Sequence, residues 1–521
     1  MGTLQDDRRF LEFAKQSLTV NGAGFLSLKL LFRDQDPLLS NNREPVKCRS
    51  IGTLCQMKKD PEMLRECLSP TGKLINTGKV EVVEENELTP LPGKAWWIPC
   101  CAVRHKKKGK IRMVFDSSAY YMGTSLNNKQ VQGPDQGNKL SGVLARFRKE
   151  NIGFSCDIEV MFHMFYVTQG GPGLHAVFFL IQEQRPKQAH RRVPCFDSYF
   201  WEQTKSREVT FALRAPCEGE NVSERAKQFI TSNFYVDDGL GSANTIDEAA
   251  ETLIKARGIL QQFNIRLHKI ASSDTSLLKS FPSSEIADGT TYVDFDFSSM
   301  QSTLGVYWDL LRDEFMVQSN ILDRPFTKRG ILGVVNPPYN GIVFVSPEIL
   351  GGRLLQRQII PSRDSLPDDL KPLGWDNPLP KHFRRDWDKW KQSLNHLYLT
   401  KVPSPLRDKP LPCDSIRELF VFADSSQNVI EVLACIKSSK GGRISMSFLR
   451  GESKVAPRQA KSIPRLEICA ALRALQLLTE ILLDLRDDFK NIYVYPTALL
   501  FSDIFEIGGK DFRNIIVHWV F

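Results

Sequence analysis

Asn233-Phe234-Tyr235-Val236-Asp237-Asp238-Gly239-Leu240-Gly241-Ser242 constrains this chain more than any other stretch. Bulky β-formers run into two adjacent carboxylates and a glycine, and Asp-Gly is a strong signal for a tight hairpin turn. The stretch predicts two short strands turning at the carboxylates. Thr245-Ile246-Asp247-Glu248 then forms a capping box, and Ile246, Ala249, Ala250, Leu253, Ile254 and Leu260 follow at helical spacing. A hairpin feeding an amphipathic helix points to an α+β fold, an antiparallel sheet covered on one side by helices. The paired charges have two readings: plain turn chemistry, or oxygen donors gathered around a divalent cation that offsets their repulsion.

Other segments extend the pattern. Ala95-Trp96-Trp97-Ile98-Pro99 and Ile111-Arg112-Met113-Val114-Phe115 read as strands joined by a basic turn, with six Lys or Arg between Arg104 and Arg112. That turn is a phosphate-contacting loop, a localisation signal or a solvated tip. A helical run near Ser141 to Lys149 precedes a strand at Gly153 to Ile158, and further strands are expected at Arg266 to Ile270 and Thr303 to Trp308. Pro361 to Pro412 reads as a connector with a helix around Trp387 and Trp390. Beyond it, strands at Glu418 to Phe422, Val429 to Ile436 and Ile444 to Leu449 precede a long helix, Arg465 to Leu485.

The 521 residues allow two to four domains, and the net charge of +9 suits an anionic partner or mere solubility. Eleven scattered cysteines without a zinc spacing suit a reduced interior, and no apolar run of 18 residues predicts a membrane span. The expectation is an intracellular, cytoplasmic protein with nuclear access open to it and no membrane partner.

Asp157, in Phe154-Ser155-Cys156-Asp157-Ile158-Glu159, ends a predicted strand, and an aromatic, Phe162, follows five residues later. Nucleotidyl transfer uses two Mg²⁺ ions roughly 4 Å apart, held by carboxylates from separate strands. Asp157, Asp237 and Asp238 supply the minimum set.

The phrases IRMVFDSSA, VQGPDQGNKLSGVLARFRKE, DIEVMFHMF, NFYVDDGL, IRLHKIAS, TLGVYWD, RPFTKRGIL, VFADSS and SIPRLEICAA occur in one collinear order over nearly the whole chain. In that order they resemble the polymerase polyproteins of Pao/BEL-class LTR retrotransposons. The resemblance implies reverse transcriptase fingers and palm, with an antiparallel palm sheet and helices, followed by a truncated ribonuclease H-like α/β domain. The corresponding division is 1–93 a helical leader, 94–320 fingers and palm, 321–412 a thumb-like connection and 413–521 the ribonuclease H-like domain. It also implies an RNA template, a DNA primer and deoxynucleotides as partners, with Mg²⁺ as the cofactor.

Residue by residue, Asp157, Asp237 and Asp238 match the family's metal-binding aspartates, and Phe162 the aromatic that screens the sugar 2′ position. Arg112, with Lys110 beside it, matches the residue that meets the triphosphate, and Leu304-Gly305 the primer-holding turn. Lys269 matches a lysine that protonates pyrophosphate, with a plain surface lysine as the other reading. Asp424 and Glu467 match the first two metal-binding acids of ribonuclease H.

The pattern also breaks. The third ribonuclease H acid is expected after Ile492-Tyr493-Val494-Tyr495, where Pro496-Thr497-Ala498 stands; Asp503 falls too late. Residues 168–208 match none of the family wording and read as a frameshifted or mis-spliced stretch. No Asp-Ser-Gly or Asp-Thr-Gly occurs, and no integrase region follows Phe521, so the expectation is a polyprotein fragment. It is read as weak or inactive in synthesis and defective in RNA cleavage. The rival reading is a non-catalytic nucleic-acid-binding relic of a transposable element.

Overall fold

The structure is a computed structural model. It describes residues 2–66, 95–104, 111–159, 161, 164–168, 175–179, 190–192, 203–287, 292–295, 304–319, 323–335, 345–359, 373–406, 415–457, 462–496 and 515–517, apart from 30–31, 35–37, 132, 220–221 and 398–399 within them. The chain divides into two compact units, each drawn from separated stretches. One takes Met1–Gly137, Ile158–Thr231 and Ile254–Leu267, the other Asn138–Asp157, Ser232–Leu253 and His268–Phe521.

In the first unit, helices Gly2–Ser17, Arg43–Met57 and Gln203–Arg214 accompany three small sheets. The expected strand pair needs correction here. Ile111–Phe115 pairs antiparallel with Cys100–Arg104, Arg104 opposite Ile111, while Ala95–Ile98 runs parallel to His175–Phe179. Pro99, with no N–H to give a ladder, separates the two strands. Trp96 and Trp97 are each 1% exposed, and the Asn42 side chain satisfies Trp97 both ways, accepting from its N–H and donating to its carbonyl at 2.8 Å each. The basic tip 105–110 lies outside the described residues. So does most of 168–208, within which 175–179 and 190–192 are strands.

The second unit begins with helix α1, Leu140–Phe147, then strand β1, Ile152–Ile158, and the hairpin β2, Phe234–Tyr235, and β3, Asp238–Ala243. Helix α2, Ile246–Gln261, starts at the expected capping box: Glu248 N–H donates to Thr245 Oγ1 at 3.2 Å, and Glu248 Oε2 accepts from Asn244 N–H at 3.1 Å. Strand β4, Leu267–Ser272, completes a sheet of order β2-β3-β1-β4.

Strands β5 (Tyr292–Phe295), β6 (Leu304–Asp309) and β7 (Glu314–Ser319) form an antiparallel sheet. Its fourth strand, β8 (Lys401–Pro403), comes from inside the Pro-rich connector and pairs with β7. Between them helices α3 (Lys328–Val335), α4 (Ser346–Ile359) and α5 (Arg384–Leu394) share a core around Trp387 and Trp390. Gly352 makes this packing possible, because a Cβ there would stand 2.2 Å from Trp390.

The last sheet has the order β11-β10-β9-β12-β13, from β9 (Ile416–Ser425), β10 (Val429–Lys440), β11 (Arg443–Val455), β12 (Asn491–Pro496) and β13 (Ile515–Val517). The first three are antiparallel, and β12 and β13 run parallel to β9. Period-two alternation sends Leu419, Val421 and Ala423 to the core. Helix α6, Ile463–Leu485, lays Leu466, Ala470, Ala474, Leu477, Ile481 and Leu485 on one stripe and covers that face. On the opposite face Phe420 stacks on Tyr493 at 4.7 Å and Phe422 on Tyr495 at 5.1 Å. The architecture is mixed α+β throughout, and among the described residues no helix is long and apolar enough to cross a membrane.

Candidate active site at the paired carboxylates

Strands β2 and β3 pair Phe234 with Gly239 and Tyr235 with Asp238, leaving Val236 and Asp237 as a two-residue turn. Val236 takes a left-handed φ of 57°, the first-position requirement of a type II′ turn, which favours glycine. A β-branched residue held there stores about 1–3 kcal/mol of strain, so the surrounding contacts over-determine the turn. The glycine after the carboxylates has a steric reason. A Cβ on Gly239 would lie 2.6 Å from Phe234 Cζ and 2.9 Å from Cys156 Sγ, so the Phe234 ring occupies the space beneath the turn.

Strand β3 lies antiparallel on β1 with Asp238 directly opposite Asp157. Directly opposed residues share a sheet face with Cβ atoms about 4.5–5.5 Å apart, so this register brings two carboxylates together from segments 81 positions apart. Asp237 sits on the turn beside them. Among the described residues, no three or more His, Cys, Asp or Glu side chains gather as a metal-holding group. The oxygen donors suit a hard cation, and the register supplies two of them.

Asp157 is engaged by β4, the neighbour of β1 on its other side. Lys269 Nζ donates to Asp157 Oδ2, and His268 Nε2 stands 3.6 Å from the same oxygen. Burial pushes the Asp157 pKa up, but the bonds and charges of His268 and Lys269 outweigh it, and the carboxyl titrates below its ordinary 3.8. Lys269 makes this contact from a left-handed φ of 50° inside a strand. Burial first, and the Asp157 and Asp238 charges after it, push the Cys156 thiol far up, so it is an inert core group.

The hairpin base is pinned by polar bonds. Asn233 Nδ2 donates to Leu240 O at 2.7 Å, Leu240 N–H returns a bond to Asn233 O, and Asn138 Nδ2 donates to Phe234 O at 2.8 Å.

Leu304 and Gly305 open β6 opposite Ser319 and Gln318. Arg112 lies in the Ile111–Phe115 strand of the first unit, while Lys110 and Phe162 fall outside the described residues. Asp424 is the next-to-last residue of β9, exposed, with one carboxylate oxygen accepting from Ser425 N–H at 2.7 Å. Glu467 is the fifth residue of α6 and half-buried. The position after β12, where a third acid is expected, lies outside the described residues, as does Asp503.

Sequence reasoning missed His268, although it adjoins Lys269. It also missed Arg148, which is 1% exposed and donates to the carbonyls of Ser404 at 3.1 Å, Leu449 at 3.2 Å and Pro403 at 3.2 Å. Neither has a local signal, because both are defined by partners from other strands.

Residues 327–497 match the family described as the Pao retrotransposon-like RNaseH-like domain. Among solved structures, the foamy viral protease-reverse transcriptase dRH in complex with double-stranded DNA is similar at 14% identity and a TM-score of 0.50, over 98% of this chain and 81% of that one. The foamy viral protease-reverse transcriptase in complex with RNA/DNA hybrid aligns at 15% identity and a TM-score of 0.48, over 94% of this chain and 55% of that one. No curated protein sequence matches the chain.

Proposed function

For a chain of the retrotransposon and retroviral polymerase type, carrying a Pao retrotransposon-like RNaseH-like domain over residues 327–497, we propose that the hairpin unit is a reverse transcriptase palm built for RNA-directed DNA synthesis. The observation that carries this reading is the register of Asp238 on Asp157 beside a strained two-residue turn holding Asp237. Carboxylates on separate strands of one face are what two-metal nucleotidyl transfer demands of a protein.

In this reading Asp157, Asp237 and Asp238 hold Mg²⁺, whose chemistry when bound is to activate the primer 3′ hydroxyl and neutralise charge on the leaving pyrophosphate. The residues themselves do the rest. The turn fixes the carboxylates, the Phe234 ring fills the space beneath them, and Lys269, which bonds to Asp157, would give its proton to the departing pyrophosphate. Arg112 and Lys110 meet the triphosphate, Phe162 screens the sugar, and Leu304-Gly305 hold the primer. The RNA template, DNA primer and deoxynucleotides are the corresponding partners, and the similar foamy viral protease-reverse transcriptase is in complex with double-stranded DNA. RNA cleavage by Asp424 and Glu467 is absent or weak, because two acids hold two cations poorly.

A second reading, a nucleic-acid-binding relic that no longer synthesises, is favoured by one observation: Lys269 and His268 together engage Asp157. Primer extension on an RNA template separates the two. Extension that Asp237→Asn abolishes supports synthesis. Salt-sensitive binding with no extension by the unaltered protein refutes it and supports the relic.

A further inference from the structure

We propose that Arg146 is a positioning residue for the carboxylate hairpin, tying its base to the end of helix α6 in the RNaseH-like domain. All three guanidinium nitrogens are committed. Nη2 donates to Ser232 O and Nε to Asn233 Oδ1 at 3.3 Å, the two residues that lead into β2. Nη1 donates to Asp484 O at 2.9 Å and stands 3.7 Å from its carboxylate, one residue before α6 ends. A planar guanidinium with fixed donors transmits position as a point-charged ammonium does not.

The ends of this strut are rigid in their own right. On the hairpin side, Asn233 accepts from Arg146 with its oxygen while its amide nitrogen donates to Leu240 O, so the arginine sets the rotamer that closes the base of β2 and β3. Ser242 of β3 adds a second tie, donating from Oγ to the Arg146 carbonyl at 3.0 Å. On the other side, Gly142 of α1 lets Asp484 sit against the helix, since a Cβ there would stand 2.4 Å from Asp484 Oδ1. The side chains of Arg146 and Asp484 are 11% and 20% exposed, so water competes weakly for these bonds.

Among the described hydrogen bonds and ion pairs, Asp484 is joined to the hairpin only through Arg146, and this separates positioning from general stability. Hydrogen exchange of the full chain is followed at the amides of residues 234–240 and, as an internal reference, at β9, β10 and β12. Arg146→Met is expected to speed exchange in the hairpin about tenfold while leaving the reference strands unchanged. Asp484→Ala is expected to speed the same hairpin amides severalfold, and the double variant to go no further than Arg146→Met alone. Arg146→Lys keeps the charge and tests the fork, with exchange expected nearer to Met than to wild type. Uniform acceleration across the unit, a silent Asp484→Ala or additive effects in the double variant would each overturn the proposal. None of these readouts depends on whether the chain synthesises DNA.

Discussion

Replacing Arg148 with methionine removes a buried guanidinium and keeps most of its stem volume, so the loss is electrostatic rather than a cavity. Three carbonyls, on Pro403, Ser404 and Leu449, lose their donor in a site where the arginine is 1% exposed. Pro403 is exposed and its carbonyl can turn to water, while the Ser404 and Leu449 acceptors are buried and cost about 1–3 kcal/mol each, which puts the total at roughly 2–6 kcal/mol. Burial pushes the Arg148 pKa down to about 9, while the carbonyls favour its charged form. Methionine relieves part of that desolvation, and this places the expectation toward about 3 kcal/mol. Lysine has one nitrogen where arginine has three, so Arg148→Lys falls between, near 2 kcal/mol. The assay is urea unfolding of the full chain, comparing midpoints at constant slope. A methionine variant within about 1 kcal/mol of wild type, or a lysine variant as damaged as the methionine one, refutes the reasoning.

Other perturbations follow from the site. Val236→Gly releases the left-handed strain at φ 57° and is expected to stabilise by about 1 kcal/mol, with slower exchange at the turn; a destabilised variant means that the turn is unstrained. Gly239→Ala forces a Cβ to within 2.6 Å of Phe234 and is expected to cost about 1–3 kcal/mol in urea unfolding; Gly239→Ala combined with Phe234→Leu recovers part of it. Asp157 has a lowered folded pKa, so its stabilising share is fully present above its unfolded value of 3.8 and is lost as pH falls through the lower folded one. The stability gap between wild type and Asp157→Asn is therefore expected to be present at about pH 5 and to close as pH falls below 3.8; a gap that widens between about pH 5 and 3 contradicts the assignment to Lys269 and His268.

Locally encoded elements were legible in the sequence. The hairpin, the capped helix behind it, the strands around Asp157 and Lys269, the Trp-bearing helix and the three antiparallel strands before α6 each rest on turn chemistry, caps or periodicity within a few residues. Partner choice was not legible. Nothing near Ala95 says that it pairs with His175 rather than with its neighbour, and nothing in Lys401-Val402-Pro403 says that this piece of a Pro-rich connector finishes a sheet. At the site, the register of Asp238 on Asp157 came within reach because both end strands, whereas the hold of His268 on Asp157 depends on how β4 lies against β1. Arg148 carries no local signal, since its acceptors are backbone carbonyls, which leave no trace in residue type, and the partners of Arg146 lie 86 to 338 residues away.

The three acceptors of Arg148 lie 255, 256 and 301 residues further along the chain. A ribosome adding about 5–20 residues per second needs roughly 13–60 s to make that stretch. For that interval Arg148, just past the end of α1, exists without these carbonyl partners. The frame behind the hairpin is therefore locked late: the Arg148 contacts form only after β8 and β11 have been translated, and a nascent chain halted before residue 449 carries the paired carboxylates on a frame that still lacks one of them.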